Sequence, residues 1–357
     1  MLSKSVVKVS LWLAIAGLLG CGSSSTSSHT AFVTLPGSDQ ILGFHVNDKS
    51  GSLSAVSGSP FTAAKTPSAV VIHPGNQFVY VANSGENTVS LFKVGSGGAL
   101  TEVMPRATTQ QNPICLTMDS AGGFLFAGNL TSNNISVFSV NSGSGALTEV
   151  VGSPFPTASP AALRLTPSGN FLYAANANTA SVSGFSVTSG VLTPIAGPPA
   201  TSGADPSSIV IDPPGHLLYV TNSVGGTFSG FSIDAPSGAL TPLSGSPFTA
   251  GTNPISAAMD PGGKFLFIAN QGSNNVSVFT IDAATGFPTA VTSSPFTTGS
   301  LPVAVVADPA GRFVYTVNQS STNISGFNYD ASTGALKANS QAQVGTTSGA
   351  SSMAISK

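Results

Sequence analysis

Six related hexapeptides constrain the fold more than any other feature of the chain. "FVYVAN" at residues 78–83 returns as "FLFAGN" at 124–129, "FLYAAN" at 171–176, "LLYVTN" at 217–222, "FLFIAN" at 265–270 and "FVYTVN" at 313–318. The closing asparagines, Asn83, Asn129, Asn176, Asn222, Asn270 and Asn318, stand 46 to 48 residues apart. So tight a period means that one supersecondary unit is stacked repeatedly, because each unit needs neighbours to cover its apolar face. "TAFVTL" at 30–35 is a further, incomplete copy in which Leu35 replaces the asparagine.

Each unit reads as four strands. A proline opens an apolar run, as in "PSAVVIH" from Pro67 and "PISAAMD" from Pro254, and a D-P-x-G turn such as Asp212-Pro213-Pro214-Gly215 follows. Proline and glycine stand there because a tight turn needs one fixed and one freely positive φ. The F-x-Y-x-x-N strand comes next, then a polar loop, then an alternating strand such as "NVSVF" at 275–279. A "SGALT" strand ends the unit, preceded by turns at Gly145, Gly190, Gly238, Gly286 and Gly334. Short strands at this spacing, with period-2 alternation, define a β-propeller blade. The 40 glycines and 25 prolines would suggest disorder in an aperiodic chain, but here they recur at turn positions.

The predicted fold is therefore all-β: a seven-bladed β-propeller with four antiparallel strands per blade. "ASSMAIS" at 350–356 is a first strand with no successors, and the N-terminal copy has successors but no first strand. Pairing the C-terminal strand with the N-terminal strands closes the ring and abolishes exposed sheet edges.

Charged residues make up only 7% of the chain, against about 25% in ordinary domains. The surface is built from Ser, Thr, Asn, Gly and Gln instead, with no basic stripe to neutralise phosphates, so nucleic acid is not an expected partner.

The N-terminus reads as an export signal. Lys4 and Lys8 precede an apolar stretch at 9–19 that is too short for a permanent membrane span. Leu18-Leu19-Gly20-Cys21 resembles the lipobox of bacterial lipoproteins, which implies cleavage after residue 20 and lipidation of Cys21. The expected organisation is a lipoprotein signal peptide at 1–20, a Ser-rich tether at 21–29 and the propeller at 30–357. Gly22 is not aspartate, which by resemblance to the lipoprotein sorting rule favours the outer membrane, on its periplasmic or surface side, over the inner. Cys115 is then the one free thiol, and stability must come from packing rather than disulfides.

P-x-x-hhh-D-P-x-G followed by FhYhAN resembles the lactonase-like seven-bladed propellers, which include bacterial 6-phosphogluconolactonases, fungal muconate-lactonising enzymes and YVTN-type surface proteins. The resemblance covers nearly the whole mature chain. For catalytic members it implies a histidine in a P-H motif before a first strand, an acid after the second-strand asparagine, and arginines facing the central funnel. Here the asparagines are followed by Ser84, Leu130, Ala177, Ser223, Gln271 and Gln319, and the strand-opening prolines by Ser, Ile, Ala or Val. The acid–base apparatus of a lactonase is not visible.

One first strand, within "PAALRLTP" at 160–167, carries Arg164. Aligned with it are Val71, Thr117, Val210, Ala258, Val306 and Ala354, none of them charged. Two residues earlier the column reads Ala69, Cys115, Ala162, Ser208, Ser256, Ala304 and Ser352, small throughout, as expected where seven strands converge on an axis. Strand alternation puts Arg164 on the same face, within reach of a central channel. There it could clamp an anion or a carbonyl, or simply extend into channel water or pair with backbone carbonyls.

The loops after the asparagines and before the first strands should crowd one face around the channel mouth. Lys65, Glu86, Arg106 and Asp205, with Gln110 and Gln111, are the distinctive polar groups there and the ligand-binding candidates. His29 in the tether, His45, His73 and His216 lack ligand spacing, so neither a metal nor another cofactor is expected. The D-P-x-G aspartates read as turn initiators, Cys115 as a small core residue, and Tyr80, Tyr173, Tyr219 and Tyr315 as blade-packing residues. Trp12 leaves with the leader, which removes the stacking ring of quinone-dependent or sugar-binding propellers. The leading expectation is a lipid-anchored, extracytoplasmic monomer that binds a cell-envelope protein or small ligand at the loop face. The alternative is a lactone hydrolase acting at the central channel, with Arg164 its one candidate catalytic residue.

Overall fold

The F-x-Y-x-x-N hexapeptide lacks the polar–apolar alternation of a half-exposed strand because neighbouring blades cover both of its faces. In the computed structural model, which describes residues 28–346 and 349–357, Phe78–Asn83, Phe171–Asn176, Leu217–Asn222, Phe265–Asn270 and Phe313–Asn318 are buried at every position. Each is the second strand of a blade. The fourth blade illustrates the pattern: Pro160–Leu165, Phe171–Asn176, Ser181–Thr188 and Val191–Pro194 pair antiparallel in sequence order.

Seven such sheets form the ring, and the first blade is made from both ends of the chain. Ser352–Ile355 pairs with Ser28–Leu35, with Ala31 opposite Ile355 and Thr34 opposite Ser352, which closes the ring as expected. The first described strand begins at Ser28, so His29 lies in the sheet, 3.4 Å from Asp48, and not in the tether. The expected signal peptide and the expected lipidation site Cys21 lie outside the described residues.

The apolar core is divided into seven clusters, each between two adjacent blades. Polar staples recur with the repeat. Every repeat asparagine is fully buried, and its side-chain nitrogen donates twice to the third strand: Asn176 to Ser181 and Ser183, Asn222 to Thr227 and Ser229, Asn270 to Asn275 and Ser277. Four tyrosines reach into the next blade. Tyr80, Tyr173, Tyr219 and Tyr315 donate to the carbonyls of Gly145, Gly238, Gly286 and Gly51 at 2.6–2.8 Å. These glycines hold positive φ, where a side chain would collide with a neighbouring Phe or Leu.

One feature goes beyond the four expected strands. In six blades a two-residue strand follows the outer strand and pairs with the third, as Phe61–Thr62, Phe155–Pro156 and Phe248–Thr249 do; in the second blade a single long strand, Leu100–Thr108, serves instead. In four of the six this edge carries the recurring S-P-F sequence. Its serine accepts a third-strand N–H, and its phenylalanine packs on the sheet.

Candidate functional site

The innermost strands of the blades line the axis in ring order. Their register confirms the column predicted around Arg164: Arg164 faces Tyr173 as Val71 faces Tyr80, Thr117 faces Phe126 and Val210 faces Tyr219. The crowding that selects small residues above it is also visible. Ser208 and Ser256 accept N–H bonds from Ala257 and Val305 of the following inner strands, and the Cys115 sulfur sits 3.7 Å from the Pro160 carbonyl oxygen.

Arg164 is the one charged residue on the seven inner strands. Its side chain is exposed, whereas Val210, at the same place in the next blade, is only 4% exposed. Among the described residues it has no hydrogen-bond or ion-pair partner. Solvent reaches it along the channel while the ring encircles it. That encirclement lowers its pKa through desolvation, but arginine starts so high that the group stays cationic. The result is an unpaired, solvent-reached guanidinium on the channel-facing column.

Among the described residues the channel near it offers no second reactive group. Its column neighbours are Val, Thr and Ala. Burial pushes the Cys115 thiol up to about 12, so it is not a thiolate at neutral pH. His73 is held in its turn, Nδ1 accepting from the Gly75 N–H and the ring standing edge-on to Phe78. The turn aspartates act locally as expected: Asp212 accepts from the His216 and Leu217 N–H groups, and Asp260 from Gly262 and Phe265. Among the described residues no group of three or more His, Cys, Asp and Glu side chains could hold a metal.

The loop-face candidates form a separate region. The residue after each repeat asparagine donates its N–H to the residue before the inner-strand proline of its own blade, as Ser84 does to Thr66 and Ser223 to Asp205, so these loops do share one face. Arg164 lies four residues below Pro160, about 13 Å along the strand at 3.3 Å per residue, and near the D-P-x-G end. The structure therefore does not bring Arg164 together with the loop-face groups.

Those groups are largely engaged with each other. Arg106 holds Glu102 with two bonds, at 2.7 and 3.1 Å, and Glu86 at 3.1 Å; Glu102 also accepts from Ser90, and Glu86 from the Lys65 N–H. The two carboxylates raise the Arg106 pKa. This network ties the outer strand of the second blade to its loop. Asp205, in the left-handed region at φ 54, binds the Ser223 hydroxyl. Of the loop-face ionic candidates, the exposed Lys65 ammonium alone has no partner among the described residues. Glu102 escaped sequence reasoning: a register shift between Val89 and Leu91 brings it to Arg106, and no motif announces that shift.

Fold and channel together define a seven-bladed propeller with a single unpaired cation on its inner strands. The family described as "Lactonase, 7-bladed beta-propeller" matches residues 25–158, 152–253 and 246–350, and the chain belongs to that family. A 6-phosphogluconolactonase of Bacillus subtilis (strain 168) is 28% identical over 121 residues, a match covering 32% of this chain and 35% of the Bacillus protein. The chain thus aligns with about a third of that relative's length. A solved structure from Bacteroides fragilis superposes with TM-score 0.81 at 21% identity, covering 94% of this chain and 99% of that one. The periplasmic gluconolactonase of Pseudomonas aeruginosa superposes with TM-score 0.76 at 19% identity, covering 93% and 99%. At these identities the structural likeness speaks for the fold alone.

Proposed function

We propose that this protein binds an anionic or carbonyl-bearing small molecule in its central channel through Arg164, without turning it over. The observation that carries this reading is the Arg164 guanidinium, open to solvent, without a partner and encircled by protein. A cation in such surroundings interacts more strongly with an anion than one in bulk water, and its planar fork suits a carboxylate or a polarised carbonyl. The site moves from the loop face to the channel because Glu86, Arg106 and Asp205 already have partners.

Export and anchoring belong to the same reading. The lysines before an apolar stretch and the Leu-Leu-Gly-Cys motif support a lipid on Cys21 and residence at the outer membrane. Replacement of Cys21 by serine is expected to abolish incorporation of labelled palmitate and release the protein from the membrane fraction.

A second reading, lactone hydrolysis with Arg164 polarising the ring carbonyl, is favoured by membership of the lactonase family and by the Bacillus relative. Among the described residues no base stands beside Arg164 to activate water. Full-length protein and Arg164→Ala, assayed against gluconolactone and 6-phosphogluconolactone, separate the two. The binding reading expects hydrolysis no faster than in buffer for both proteins. Turnover that disappears in Arg164→Ala would establish the hydrolase instead.

A further inference from the structure

The fourth blade has a vacancy where its sisters have an aromatic ring. Phe61, Phe155, Phe248 and Phe296 occupy equivalent edge positions, opposite Ile41, Ile135, Phe228 and Val276 of their third strands. In the fourth blade that place, opposite Val182, belongs to Ala200, within "GPPAT" instead of S-P-F-T. In the fifth blade the Phe248 ring lies over Gly230 beside Tyr219 and Leu243, and Phe287 of the sixth blade packs edge-on against it at 5.5 Å. The fourth blade retains the corresponding Gly184, Tyr173 and Ile195. It has lost both rings, since Ala239 follows Gly238 where Phe287 follows Gly286.

Other blades without the phenylalanine fill the space differently. Leu91 takes the position of Gly184 in the second blade, and in the seventh the short 3₁₀ turn Ser340–Ala342 lays Ala342 over Gly326. The fourth blade does neither. What remains is a half-open pocket of about 610 Å³ between the fourth and fifth blades, with Pro156 of the third blade at its edge, bordered by Tyr173, Gly184, Ile195, Ala200, Ala239 and Leu240, with no charged side chain in its lining.

We propose that this cavity is a binding site for a small, neutral aromatic ligand of one or two rings. Its volume falls within the range of small-molecule sites, and its walls are those against which Phe248 and Phe287 pack one blade away. A charged ligand would lose hydration with nothing to replace it. The Tyr173 hydroxyl is committed to the Gly238 carbonyl, so binding rests on ring packing rather than on a polar anchor. Arg164, Tyr173 and Gly184 form one cross-strand row, and the fully buried Tyr173 separates this site from the channel. The proposal is thus independent of the channel reading.

Indole and 2-naphthol, with cyclohexanol as the non-aromatic comparison, are titrated into the full-length protein and followed by ligand-observed NMR and by Tm. Saturable binding of the aromatic probes is expected, with a rise in Tm and weaker binding of cyclohexanol. Ala200→Phe should raise Tm without ligand and weaken indole and naphthol binding at least tenfold, and Arg164→Ala should leave both unchanged. If Ala200→Phe does not fold, Ala239→Phe blocks the same cavity from the fifth blade. The proposal is overturned by the absence of saturable binding, by equal binding of cyclohexanol, or by undiminished binding in a folded blocking variant.

Discussion

The fourth and fifth blades are adjacent and share one frame. Both start an inner strand after a residue of positive φ, Ser159 and Asp205. Both bury an asparagine that binds the third strand twice, both send a tyrosine hydroxyl to the next blade, and both keep a glycine beneath the edge. They part at two places: Arg164 against Val210 on the channel side, and Ala200 against Phe248 on the rim. The shared positions are those a neighbouring blade needs for packing or hydrogen bonding. In the fourth blade the divergent positions face space that no neighbour fills, which is where a repeat is free to acquire a ligand; in the fifth, Val210 is buried and Phe248 meets Phe287 of the sixth blade.

The largest expected effect tests the frame that both blades depend on. Deleting residues 350–357 removes the inner strand of the first blade together with buried Ala350 and Met353. Exposing that surface and opening the ring should cost about 5 kcal/mol or more, read as loss of soluble protein or a large fall in Tm. An unchanged Tm would mean that the ring does not depend on this closure.

Within the frame, Asn176→Ala and Asn222→Ala should each destabilise by about 2–4 kcal/mol in chemical denaturation, because each removes two hydrogen bonds donated to the third strand and one accepted from Thr157 or Gly203, and strands their partners. The two values should agree closely. A large inequality would break the equivalence of the blades.

Tyr173→Phe and Tyr219→Phe remove one interblade hydrogen bond each, worth about 1–2 kcal/mol at neutral pH. Burial raises the pKa of both tyrosines in the folded protein above the ordinary value of about 10. Their contribution is therefore complete below that value and is lost as pH rises towards the folded pKa, since the unfolded chain ionises first. Wild-type stability should fall above about pH 10, and each Phe variant should show a shallower fall.

The smallest change in stability is expected for Arg164→Val, within about 0.5 kcal/mol in the same denaturation experiment, because the guanidinium has no partner to strand. A loss of several kcal/mol would make Arg164 part of the frame.

Much of this was legible in the sequence. The period of the asparagines gave blade number, the unmatched ends gave ring closure, and strand alternation placed Arg164 on its column, because each is a pattern repeated several times along one chain. The asparagine staples were not legible in detail, since only the register shows that Asn176 meets Ser183 across a hairpin. The ion network of the second blade was read as a set of ligand candidates because pairing of Arg106 with Glu102 depends on a local shift in strand register. The rim cavity is a subtraction: "GPPAT" reads as an ordinary loop until the S-P-F segments of sister blades are seen to be edge strands.

The central claim concerns Arg164 and is tested most directly by calorimetric titration of gluconate and 6-phosphogluconate into wild type and Arg164→Ala. Binding through the channel guanidinium predicts a saturable heat for wild type with at least one of these anions, and affinity at least tenfold weaker in the variant, a difference of about 1.4 kcal/mol. Equal affinity in the two proteins, or no binding of either anion to wild type, would contradict it.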